Sequence, residues 1–223
     1  MSPEQAKGKP SGDRITFNSD RSGAMNLYWQ IVDGSAPPER LTTSEFGQLP
    51  GSWSPDGRWL VFTEHRPETG GDIWVLSMEG DRTPRGFVQS ASNETLPQFS
   101  ADGRYIAYIS DESGRSEVYI QAFPSSGRKW PVSKSGAWSG AIRLWPILWN
   151  PNGRELIYRN GPEILVVDVD TRGELTLGNP RVLFEAASTL DGPFDISSDG
   201  RRLLFVDQSA APLAPTQLVL VQN

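Results

Sequence analysis

Short runs of apolar and aromatic residues with a period of two recur along almost the whole chain, each ending at Gly, Pro, Asp, Asn or Ser. That pattern predicts β-strands of four to eight residues joined by tight turns. The strongest runs are 58–64 (RWLVFTE) and 104–110 (RYIAYIS), each followed by a polar loop. A further strand then comes at 26–32 (NLYWQIV), 72–78 (DIWVLSM), 117–123 (EVYIQAF), 163–169 (EILVVDV) and 216–222 (TQLVLVQ). Weaker strands follow at 39–42 (ERLT), 85–89 (RGFVQ), 129–133 (KWPVS) and 180–185 (PRVLFE). No segment has the three-and-four spacing of an amphipathic helix.

One of these runs is copied. SPDGRWLVF at 54–62 returns as SADGRYIAY at 100–108, NPNGRELIY at 150–158 and SSDGRRLLF at 197–205, with a worn copy, PSGDRITF, at 10–17. The aligned glycines Gly12, Gly57, Gly103, Gly153 and Gly200 lie 45, 46, 50 and 47 residues apart. A unit of about 45 residues built from four strands is the blade of a β-propeller. One such sheet cannot cover both of its apolar faces, so blades must stack on their neighbours. Trp53, Phe99, Trp149 and Ile196, each four places before its glycine, are expected in the wedge between blades.

The repeat dissects residue by residue. Gly supplies the positive φ of a tight hairpin, and the preceding Asp56, Asp102, Asn152 or Asp199 can bind local backbone amides. One carboxylate per turn does not make a calcium site. Arg58, Arg104, Arg154 and Arg201, next in line, are expected to pack and pair between blades. The fold class is therefore all-β, a propeller of about five blades. A flexible segment at 1–11 would precede a single domain at 12–223, with repeats at about 12–48, 49–94, 95–143, 144–189 and 190–223. The pattern supplies three, four, four, four and three strands, either a five-bladed ring with two thin blades or a piece of a six-bladed or larger one. An open blade edge would invite self-association.

Composition narrows the functions. The 223 residues carry a net charge of −6, and no dense basic patch argues for nucleic acid. No apolar stretch reaches about 18 residues, so no membrane insertion is expected. The opening residues have no apolar core of a signal peptide. The chain has no Cys, which excludes disulfides and thiolate metal sites.

At the repeated residues the chain resembles the TolB-like, or WD40-like, propeller repeats of bacterial extracytoplasmic proteins. The shared pattern is Ser-x-Asp-Gly-Arg followed by an apolar strand, a loop reading Ser-Asp-x-x-Gly, and a strand with a central Tyr. Residues 17–42 and 108–127 follow it closely, whereas the loops of the last two repeats depart from it. The resemblance implies a propeller and an extracytoplasmic location. Such repeats occur in Tol-system components, in propellers of prolyl-oligopeptidase-type peptidases, and in the tails of bacterial Ser/Thr kinases, which the end of this chain resembles most.

Catalytic signatures are scarce. No Gly-x-Ser-x-Gly elbow is present, and His65, the single histidine, reads as a solvated loop residue beside Glu64 and Arg66. One His without Cys gives no zinc site, and no cofactor loop stands out. The chain is therefore expected to be a non-catalytic binding or scaffold module for a protein or peptide. The alternatives are an accessory propeller of a hydrolase and a small-ligand or carbohydrate binder. In a propeller, the loops that lead into each innermost strand share one face with those joining second to third strands. The third such loop is the longest and holds Trp138, Arg143 and Trp145, types enriched at binding hot spots. Trp145 suits packing between blades equally well. Phe46, Glu94 and Asp191, in the other lead-in loops, would complete a mixed aromatic and acidic rim.

Overall fold

A computed structural model describes residues 6–124, 127–137, 147–187, 194–207 and 217–222, with side chains as far as Phe205. Every regular element among them is a strand, and each repeat forms one antiparallel sheet in meander order. The first sheet runs β1 (Lys7–Gly8), β2 (Arg14–Ser19), β3 (Asn26–Ile31) and β4 (Glu39–Arg40). The second runs β5 (Gly47–Trp53), β6 (Trp59–Arg66), β7 (Gly70–Ser77) and β8 (Pro84–Val88). The third runs β9 (Glu94–Phe99), β10 (Tyr105–Ser110), β11 (Glu117–Ala122) and β12 (Lys129–Pro131). In the fourth, β13 (Leu148–Trp149) and β14 (Glu155–Asn160) precede β15 (Glu163–Asp170), which pairs with both β16 (Thr176–Leu177) and β17 (Arg181–Glu185). The fifth holds β18 (Phe194–Ile196), β19 (Arg202–Asp207) and β20 (Gln217–Gln222).

Three placements differ from the sequence reading. Lys7–Gly8 pairs with Thr16 and Ile15, so part of the stretch read as flexible supplies the innermost strand of the first sheet. Two residues carry no periodicity, and β16 is equally silent for the same reason. His65 is not in a loop: it sits in β6, paired with Gly47 and Gly71, because the strand runs on through the polar residues after Phe62.

The turns explain the repeat. In the second sheet Gly57 N–H donates to Ser54 O at 2.8 Å with Gly57 at φ 67°, where a side chain is strained. Arg58 N–H donates to Asp56 Oδ1 at 3.0 Å, and Trp59 N–H donates to Ser54 Oγ at 2.9 Å. The same two kinds of bond recur at Ser100–Asp102 and Ser197–Asp199. Successive turns also touch: a Cβ on Gly103 would stand 3.2 Å from Pro55 Cδ. Two of the arginines expected to pair between blades have acidic partners within their own sheet. Arg58 pairs with Glu79 at 2.9 Å, where β7 of its own sheet ends, and Arg104 pairs with Asp102 of its own turn at 2.9 Å. The hairpin brings these acids closer than any neighbouring sheet.

The chain divides into two compact units, Met1–Arg115 with Ile120–Lys129, and Ser116–Tyr119 with Trp130–Asn223. In the first, Leu27, Trp29 and Leu41 pack against Trp53, Leu60, Phe62 and Leu76, so two sheets bury their facing sides together. Phe99 sits 5.0 Å from Phe123, whose ring also meets Trp59 at 5.3 Å and Phe87 at 5.9 Å. In the second unit, Ile157, Ile164 and Val166 meet Phe194, Leu203 and Phe205, with Ile196 packed against them. Burying one such aromatic contributes about 1.5–3 kcal/mol. Trp53, Phe99 and Trp149 are buried as the repeat predicts.

Candidate functional site

At the end of the blades opposite the Asp-Gly turns, a belt of buried polar side chains fastens the lead-in loops. Thr42, at the end of the first sheet, accepts from Leu27 N–H at 3.1 Å and donates to Gln48 Oε1. Gln48 in turn donates to Glu64 Oε2 at 2.8 Å. In the third sheet Ser133 accepts from Val118 N–H at 2.8 Å and donates to Glu117, which also accepts from Gly136 N–H at 3.1 Å. Ser90 donates to Glu94 at 2.5 Å. A buried carboxylate needs such donors, because leaving it bare costs far more than a hydrogen bond returns. The loops are thereby held by buried hydrogen bonds.

Above this belt, in the first unit, lies a cleft of about 450 Å³. Ser44, Glu45 and Phe46 form one wall, Arg66 and Trp74 the other, with Gln48 and Glu64 at the base. Strand register builds it: Gln48 pairs with Glu64, Glu64 with Asp72 and Phe62 with Trp74, so Glu64, Arg66, Asp72 and Trp74 share a face. The Arg66 guanidinium lies 5.1 Å from the Phe46 ring and 5.2 Å from the Trp74 ring, within cation–π range. Its Nη2 is 2.9 Å from Glu64 and its Nε is 3.9 Å from Asp72. The Arg66 side chain remains 35% exposed, so the stack stands at the surface. Glu45 is exposed and makes no hydrogen bond or ion pair among the described residues.

The rim residues expected from the sequence fall in different places. Phe46 lies in the cleft. Glu94 does not face solvent: as the first residue of β9 it is fully buried, with bonds from Ser90 and Ser110. Burial raises its pKa, and the charges of Asp72 and Glu112 add to that, against the two hydroxyl bonds. Its carboxylate thus lies among buried hydroxyl bonds rather than on the rim where the sequence reading expected it. Trp138, Arg143, Trp145 and Asp191 lie outside the described residues. Arg66 and Trp74 were missed, although Phe62, Glu64 and Arg66 alternate along one run. His65 points to the other face, is exposed, has no hydrogen-bond partner among the described residues, and its pKa is lowered by desolvation.

The family model described as TolB beta propeller domain matches residues 48–221. Among curated proteins, the Tol-Pal system protein TolB of Desulfosudis oleivorans is 31% identical over 121 residues, covering 52% of this chain and 26% of that protein. Across three curated relatives the chain spans from about a quarter to about half of their length. Among solved structures, TolB from Acinetobacter baumannii is similar with a TM-score of 0.72 at 16% identity, over 98% of this chain and 51% of that one. A puromycin-hydrolyzing peptidase of Mycobacterium tuberculosis gives a TM-score of 0.68 at 18% identity, over 97% of this chain and 34% of that one. Likeness at these identities shows a shared fold.

Proposed function

The chain belongs to the TolB β-propeller domain family, and from that premise we propose that it is a non-catalytic module that binds a protein partner through its lead-in loops. The observation that carries this reading is the half-buried Phe46–Arg66–Trp74 stack beside loops tied down by buried hydrogen bonds. A surface fixed before binding loses less conformational freedom on association. Aromatic rings and arginine are also the groups that dominate interface energies. The loops holding Trp138, Arg143, Trp145 and Asp191 supply further contacts in this reading. An extracytoplasmic location accompanies it.

Affinity capture from a bacterial envelope extract tests the proposal. The chain should retain a defined set of proteins, and a variant with Ser44, Glu45 and Phe46 replaced by glycine and serine should retain less. Finding no protein above a bead control would overturn it. Hydrolysis of peptide or ester substrates by the purified chain, abolished in His65→Ala, would overturn the non-catalytic part. The peptidase likeness favours one second reading, an accessory propeller beside a hydrolase domain. A Gly-x-Ser-x-Gly domain in the same gene would support that reading, and a gene lacking one would exclude it.

A further inference from the structure

We infer that the Phe46–Arg66–Trp74 cleft takes a basic peptide segment, whose lysine or arginine head group ends against Glu45. This rests on the binding-module reading and names the chemistry of the partner.

Charge balance carries the inference. The residues that line the cleft include two carboxylates, Glu45 and Glu64, against the guanidinium of Arg66. Arg66 is already engaged by Glu64 at 2.9 Å, so it has little attraction left for an acidic ligand. Glu45 stands at the mouth with its charge unspent. The net charge of −6 on the whole chain has the same sign.

Shape agrees with charge. Lysine and arginine carry apolar stems that lie along aromatic faces while the head group stays wet. Arg66 already lies within cation–π range of both rings, at 5.1 and 5.2 Å, so the incoming head group is drawn to Glu45 rather than to the rings. The cleft, at about 450 Å³, has room for two or three residues of an extended segment. Thr43 and Ser44 on its wall offer hydroxyls to a peptide backbone. A basic peptide of this kind binds weakly alone, and a folded partner adds its remaining contacts.

The test uses two blocked heptapeptides, one with two lysines flanking a leucine, the other with glutamates in their place. Each is titrated into the isotope-labelled chain and followed by amide shifts and by calorimetry. The lysine peptide should bind with a Kd of about 1 mM or tighter and shift the amides of Glu45 and Phe46. The glutamate peptide should not. Glu45→Gln should weaken binding about threefold and Glu45→Lys about tenfold, as expected for a partly exposed charge pair. Because Glu45 is exposed and unpaired, both variants should melt like the parent. Affinity should fall as salt rises from about 0.05 to 0.3 M. Free lysine at the same concentration separates a peptide site from a site for any small cation; equal affinity for both would overturn the peptide assignment. Equal binding of both heptapeptides, shifts confined to other loops, or unchanged affinity in Glu45→Lys would each overturn the inference. If envelope partners still protect the lead-in loops while the lysine peptide fails, the basic-segment inference falls and the binding module stands.

Discussion

Each residue of the Ser-x-Asp-Gly turn has a separable task, and glycine has two. Gly12 and Gly103 share a positive φ, 73° and 70°, but only Gly103 has a neighbour within 4 Å of a would-be Cβ. Gly12→Ala should therefore cost about 1–2 kcal/mol from backbone strain alone. Gly103→Ala should cost more, because Pro55 Cδ must give way at 3.2 Å. Urea midpoints of the two variants measure the difference. These turns were legible in the sequence because the bonds that shape them, from the turn Gly N–H and to the Ser and Asp side chains, span five residues or fewer. The partners of Arg58 and Arg104 were not, since motif spacing cannot say which acid a long side chain meets first.

A buried acid at the head of a strand makes a second claim at this scale. The raised pKa of Glu94 comes chiefly from burial, so its ionised form is disfavoured in the folded state. The stability linked to this group is fully present below its unfolded pKa and is lost as pH rises through the folded value. Glu94→Gln should then raise the melting temperature at pH 7. The gain should shrink as pH falls towards about 4, where the parent glutamate is protonated as well. Melting curves of both proteins across that range read the sign directly. A variant less stable at pH 7 would contradict it.

Among the elements, the ends of the outer strands matter more than their length suggests. Thr42 follows a strand of two residues, yet it joins the Leu27 amide to Gln48 and, through it, Glu64. Thr42→Val keeps the shape and strands a fully buried N–H, which should cost about 1–3 kcal/mol by denaturant titration. Thr43→Val, one place on and exposed, should stay within about 0.5 kcal/mol. Most strands were visible in the sequence because six to eight residues suffice to declare a period. The short β1 and β16 were not. Nor was the continuation of β6 through His65 and Arg66, where polar residues imitate a loop while pairing as a strand.

Across the whole molecule, the repeat period announced one sheet per copy, and five sheets form among the described residues. The rim was legible only as a location. Phe46 could be placed on it, but its companions Arg66 and Trp74 come from a neighbouring hairpin, and only register brings all three together. The account assigns opposite roles to the two ends of the blades: Asp-Gly turns build and lead-in loops bind. Hydrogen exchange of the chain alone and with a captured partner tests this division most directly. Protection should rise at residues 43–48 and 64–74 and stay unchanged at 54–57 and 100–103. Protection gathered at the Asp-Gly turns, with the lead-in loops unaffected, would contradict it.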